Sequence, residues 1–206
     1  MWKRAPYILS VVMLVLLATV SARPNAYRIE RRASIAASTT ALYARLVDLR
    51  EWQRWSPWEQ LDPRIERTFD GPTEGLGASY SFEGGVQVGK GRLTLTEAEP
   101  GRRVVYRVEF EKPWRTAITH EFQLATGEGG TTRMTWTLEG QHHFWGKLFA
   151  LVTDVDHAVG GDMARGLQVL RELTEHAASL LRVQRARGPM VAVASPRAAR
   201  LRAATR

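Results

Sequence analysis

Trp52, Trp55 and Trp58 lie within seven residues of one another. Indoles at this spacing have two uses. They line the mouth of an apolar cavity and offer ring N–H donors to a guest, or they close a core beneath short helices. His120 is the other unusual residue, because it shares strand parity with Ile118 and Phe122 and is expected to face inward. An inward imidazole can orient the polar group of a ligand, act as acid or base near neutral pH, or satisfy a core hydrogen bond. It is the sole candidate for a catalytic residue. His142, His143, Asp154, Asp156 and His157 can be drawn as a metal constellation, since Asp154 and His157 would share a helix face. Nothing in the sequence brings His143 to them, so neither a metal nor another cofactor is expected. There is no cysteine, hence no thiolate nucleophile, and no phosphate loop, nucleophile elbow or HExxH motif.

These side chains need elements to hold them. Ala78-Tyr80-Phe82, Val104-Tyr106-Val108-Phe110, Ile118-His120-Phe122-Leu124 and Met134-Trp136-Leu138 place a large or apolar residue at every second position. The alternate positions are polar, so each run predicts a strand with one buried and one wet face. Glu83, Glu97, Glu99, Glu109, Glu111, Glu121 and Glu139 fall mostly on the wet set and read as a solvated face, not as paired catalytic carboxylates. Gly71-Pro72, Gly84-Gly85, Pro100-Gly101 and Gly127 to Gly130 are turns, and strands this close make an antiparallel meander. Tyr27–Ile35 is a further strand. Ser38 is placed to cap a short helix over Thr39–Val47. A long helical segment runs from about Phe144 to Arg182, with Val155, Val159, Met163, Leu167, Leu170, Leu173, Ala177 and Leu180 at spacings of three or four. Gly160, Gly161 and Gly166 interrupt it; Gly166 permits close approach to a sheet or leaves room beneath the helix. The order gives an α+β domain in which a sheet curls around one helix, an arrangement able to enclose a ligand cavity.

The chain has 206 residues, with 44% apolar and 24% charged, which excludes wholesale disorder. Its net charge of +8 belongs to the ends. Of 29 basic residues, nine lie in 1–23 and 183–206, leaving 20 against 21 acidic residues between them. The near-neutral body offers no phosphate-tracking surface, so no nucleic-acid partner is expected. Lys3 and Arg4 precede an apolar run from Tyr7 to Val20, which reads as an export signal or a retained membrane anchor within residues 1–23. The domain then covers 24–182. Residues 183–206, rich in Ala and Arg, form a solvated tail or an electrostatic contact with anionic lipid. A membrane-anchored or exported protein of the cell envelope follows, its side of the membrane open.

Trp52-Gln53-Arg54-Trp55-Ser56-Pro57-Trp58-Glu59, Leu61-Asp62-Pro63, Gly75-Leu76-Gly77-Ala78, Gly89-Lys90-Gly91 and Gly160-Gly161-Asp162-Met163 with Gly166-Leu167 resemble the SRPBCC, or START-like, superfamily, in its polyketide cyclase/dehydrase and lipid-transport branch. The resemblance covers about residues 27–180. It implies a helix-grip fold: about seven antiparallel strands around the C-terminal helix, with an internal ligand cavity. It brings no catalytic motif. The leading expectation is therefore a protein that binds or transports a lipid, quinone or polyketide-like molecule. The walls would be Tyr80, Phe82, Tyr106, Phe110, Phe122 and Trp136 from the sheet and Val159, Met163 and Leu167 from the helix. His120 or the indoles of Trp52, Trp55 and Trp58 would orient a polar head. An aromatic cyclase or dehydratase using His120 as acid/base is the alternative, less favoured because a catalytic motif is lacking. A solid interaction module held at a membrane is the third.

Overall fold

Period-two burial runs through the sheet. In the computed structural model, which describes residues 5–22, 24–141, 146–147 and 154–186, seven strands form one sheet. They are β1 (Ala26–Ile35), β2 (Glu66–Asp70), β3 (Ser79–Glu83), β4 (Lys90–Glu99), β5 (Arg103–Lys112), β6 (Thr116–Thr126) and β7 (Thr132–Gln141). All neighbours are antiparallel, in the order β1-β7-β6-β5-β4-β3-β2. The meander thus runs from β2 to β7, and β1 returns alongside β7. Leu93, Leu95, Tyr106, Val108, His120, Phe122, Trp136 and Leu138 are all buried on the inner face. The outer face carries ion pairs, such as Arg103 with Glu121 at 2.5 Å and Arg28 with Glu139 at 2.5 Å. Exposed pairs of this kind contribute little to stability. The glutamates therefore sit as their parity indicates.

Helices of the described residues that accompany the sheet include α1 (Ala5–Ala22), α2 (Thr39–Val47), α3 (Leu49–Trp55) and α4 (Val155–Ala186). Ser38 Oγ accepts from Ala41 N at 3.2 Å, capping α2. Asp48 Oδ1 accepts from Arg50 N at 2.8 Å and starts α3 one residue later. A single 3-10 turn, Trp58–Gln60, follows. Helix α4 continues without a break through Gly160, Gly161 and Gly166 and extends past Arg182 to Ala186. Met163, Leu167 and Leu170 on its stripe are buried, whereas Leu180 is exposed.

The ends of α4 are tied down by side chains. Arg31 on β1 donates through Nε to the Gly160 carbonyl at 3.2 Å and through Nη2 to Asp156 Oδ2 at 3.0 Å. Glu175 Oε1 accepts from Ala36 N at 2.8 Å nearer the other end. At Gly166 the helix meets Pro57 and Trp136 so closely that a Cβ would lie 2.8 Å from Pro57 Cδ and 3.2 Å from Trp136 Cζ3. Of the two uses left open for this glycine, close approach is the one adopted.

In α1, Tyr7, Ile8, Leu9 and Leu14 are exposed, while Val20 is buried. Lys147 Nζ donates to the Ser21 carbonyl at 3.3 Å. Among the described residues no helix is long and apolar enough to cross a membrane. The expected membrane-spanning segment is thus not supported.

Candidate ligand-binding site

Apolar strand faces and one helix stripe leave a hollow where they do not meet. It measures about 240 Å³ and is walled by Trp52, Trp58, Tyr80, Phe82, Phe110, His120 and Val159, all expected site residues. Tyr27, Ile65, Leu93, Val108, Ile118 and Leu138 complete its apolar surface, with Glu59, Gln87 and Val88 also in the wall. A larger depression of about 690 Å³ beside Arg32, Arg103 and Arg133 opens to solvent on the outer face and lacks this apolar enclosure.

Trp55, Tyr106, Phe122, Trp136, Met163 and Leu167 do not line the hollow; all are in the packed core. Phe122 and Trp136 rings stand 5.0 Å apart, and Trp55 meets Trp136 edge-on at 5.5 Å. The cause is Gly166, which lets α4 press against Pro57 and Trp136 and fills that half of the sheet. The hollow survives only towards the N-terminal half of α4, where Val159 is the helix's contribution. The tryptophan segment therefore divides: Trp55 closes the core, while Trp52 and Trp58 face both core and hollow.

His120 sits at this boundary. Its ring is 5.1 Å from Trp58 and 5.8 Å from Trp52, both edge-on. Trp136 Nε1 donates to His120 Nδ1 at 3.1 Å. Burial with no charged partner pushes the imidazole down to about 3. The ring is therefore neutral at physiological pH.

Sequence reasoning missed Glu59 as a wall residue. Its carboxylate is buried in the 3-10 turn beneath the mouth. The Tyr80 hydroxyl donates to Oε1, and Arg67 Nε donates to Oε2 at 2.6 Å. Desolvation and the adjacent carboxylate hold the Tyr80 hydroxyl well above the ordinary phenol range. The signal available was the placement of Glu59 directly after Trp58, but only the fold brings Arg67 and Tyr80 to it. Asp62 works next to the mouth: Oδ2 accepts from Gly85 N at 2.7 Å and Oδ1 from Arg64 N at 2.9 Å. The Gly85 N–H, more than the Arg64 one, holds the Asp62 carboxyl below its usual range.

Of the drawn metal constellation, Asp154, Asp156 and His157 are described. Asp154 Oδ1 accepts from His157 N at 2.9 Å at the start of α4, and Asp156 pairs with Arg31. His142 and His143 lie outside the described residues. Among the described residues no group of His, Asp and Glu could hold a metal ion.

A single antiparallel sheet curved around one long helix, with a partly open apolar hollow between them, defines a helix-grip domain suited to hydrophobic ligands. The chain belongs to the polyketide cyclase / dehydrase and lipid transport family, whose model matches residues 26–175. No curated protein matches it. Among solved structures it resembles the hypothetical protein jhp0584 from Helicobacter pylori, at 15% identity and TM-score 0.56 over 72% of this chain and 88% of that one. It is similar to a Staphylococcus aureus protein of unknown function, SA2116, at 10% identity and TM-score 0.56 over 76% and 98% of the two chains. The Aha1 dimer from Colwellia psychrerythraea is similar at 22% identity and TM-score 0.51, over 72% and 96%. At such identities these likenesses concern the fold.

Proposed function

We propose that this protein binds an apolar small molecule in the hollow between sheet and α4, as a carrier or receptor and not as a catalyst. The apolar hollow of about 240 Å³, lined by aromatic side chains of the sheet, carries the reading. A guest there would gain roughly 25 cal/mol for each Å² of apolar surface removed from water. Trp52, Trp58, Tyr80, Phe82, Phe110 and Val159 supply the contact surface, and His120 orients the polar end. A cyclase or dehydratase step would need a group that changes protonation near neutral pH. His120 is held neutral, with Trp136 and no carboxylate bonded to its ring. The solid-module alternative is disfavoured by the hollow itself.

Native mass spectrometry of the protein purified from cell envelopes, together with thermal-shift screening of apolar compounds, tests the proposal. A bound mass that leaves on denaturation, or a compound that raises Tm and quenches tryptophan fluorescence, is expected. No bound mass and no shift with any compound would overturn it. We also place the protein at the cell envelope, where the exposed apolar side chains of α1 and the Arg-rich segment 183–206 meet lipid head groups. Deletion of either segment should reduce co-sedimentation with anionic vesicles, and full retention by both deletions refutes that placement.

A further inference from the structure

The wall of the hollow offers hydrogen-bond donors and almost no available acceptors. An indole N–H can only donate, so the Trp136 bond fixes His120 Nδ1 as an acceptor and leaves the imidazole proton on Nε2. Among the described residues no group accepts from His120 Nε2, nor from Nε1 of Trp52 or Trp58. The buried carboxylate of the wall, Glu59, is already engaged on both oxygens by Tyr80 and Arg67. Gln87, which has a free acceptor type, is exposed at the rim. A donor that a guest covers without offering it a partner costs free energy, so a guest that brings an acceptor is selected over one that does not.

Charge and size narrow the guest further. An anion would lie against Glu59, and a cation would find no unoccupied carboxylate in the wall. The volume of about 240 Å³, set beside the ~150 Å³ of an apolar cavity that admits benzene, gives room for on the order of ten non-hydrogen atoms. Resting on the cavity reading above, we propose that the enclosed part of the guest is a compact, uncharged ring bearing a carbonyl oxygen, which accepts a hydrogen bond from His120 Nε2–H. Any long chain attached to that ring lies outside the hollow.

The test uses the full-length protein and two probes of near-equal shape, acetophenone and ethylbenzene, titrated calorimetrically into wild type and His120→Phe. Phenylalanine keeps the aromatic volume and removes the donor, together with the acceptor that Trp136 Nε1 uses. The variant should weaken acetophenone about tenfold and leave ethylbenzene within about twofold. Equal weakening of both probes overturns the carbonyl assignment while the cavity reading stands, as does a wild type that takes ethylbenzene and refuses acetophenone. If neither probe binds wild type, both readings fall. Should the variant not fold, histidine-selective 15N NMR of wild type decides. Acetophenone, but not ethylbenzene, must shift the protonated Nε2 resonance of His120, and an unmoved resonance refutes the proposal.

Discussion

Acidifying the solution below the ordinary imidazole range should destabilise this fold through one side chain. In the unfolded chain His120 takes a proton near pH 6.5, whereas in the fold burial holds it down to about 3. Between those values only the unfolded chain carries the proton. The contribution of the neutral ring is therefore fully present above pH 6.5 and is lost progressively as pH falls. The slope approaches about 1.4 kcal/mol per pH unit, so a drop from the ordinary imidazole value to about pH 5 removes about 2 kcal/mol. Carboxylates held low by their partners, such as Asp62 and Glu175, also lose stability on acidification, but in a lower window, starting from their ordinary values of 3.8 and 4.5. His120→Asn is the control, because Oδ1 can still accept from Trp136 while the titrating group is gone. Urea unfolding followed by tryptophan fluorescence at steps across this range gives both stabilities. The wild type should approach the variant by about 2 kcal/mol as pH falls. Parallel loss in the two proteins would mean that the ring is solvated inside the fold and would refute the reasoning.

Gly166→Ala should destabilise the fold by about 1–3 kcal/mol in thermal melts, despite the better helix propensity of alanine, because Pro57 and Trp136 leave no room for a methyl group. Tyr106→Phe should raise stability by about 1 kcal/mol in denaturant titrations, since the Tyr106 hydroxyl is buried without a partner. Arg67→Met strands the Glu59 carboxylate and should cost about 3 kcal/mol at neutral pH, with much of the loss recovered by adding Glu59→Gln.

The strands that bury one face were legible because their inner residues are large and most of their outer ones polar: β5, β6 and β7 follow the alternation over most of their length, although Val105 and Thr137 on the outward set are buried as well. β4 was harder. Arg92, Thr94 and Thr96 blur its contrast with Leu93 and Leu95, and a register shift between Leu95 and Glu97 breaks the period. β2 is five residues long and mostly exposed, so it has no buried face to announce it. Inward parity was correct for His120, but parity cannot say how far a helix stands from a sheet. That distance is set at Gly166, whose two readings the sequence could not separate. Consequently the expected wall was about twice too long, including Trp136, Phe122, Met163 and Leu167 where packing is solid. The Glu59–Arg67–Tyr80 cluster joins residues from three segments, and no spacing in the chain encodes it.

Where only a hydrogen atom separates α4 from Pro57 and Trp136, the helix has no freedom to slide or roll, and Arg31 and Glu175 anchor it on either side. Such a contact opposes any motion that would lift the helix from Pro57 and Trp136. The Asp62 carboxylate, by holding the Gly85 amide, ties the loop between β3 and β4, whose Gln87 and Val88 stand in the wall of the hollow, to the segment that follows the 3-10 turn.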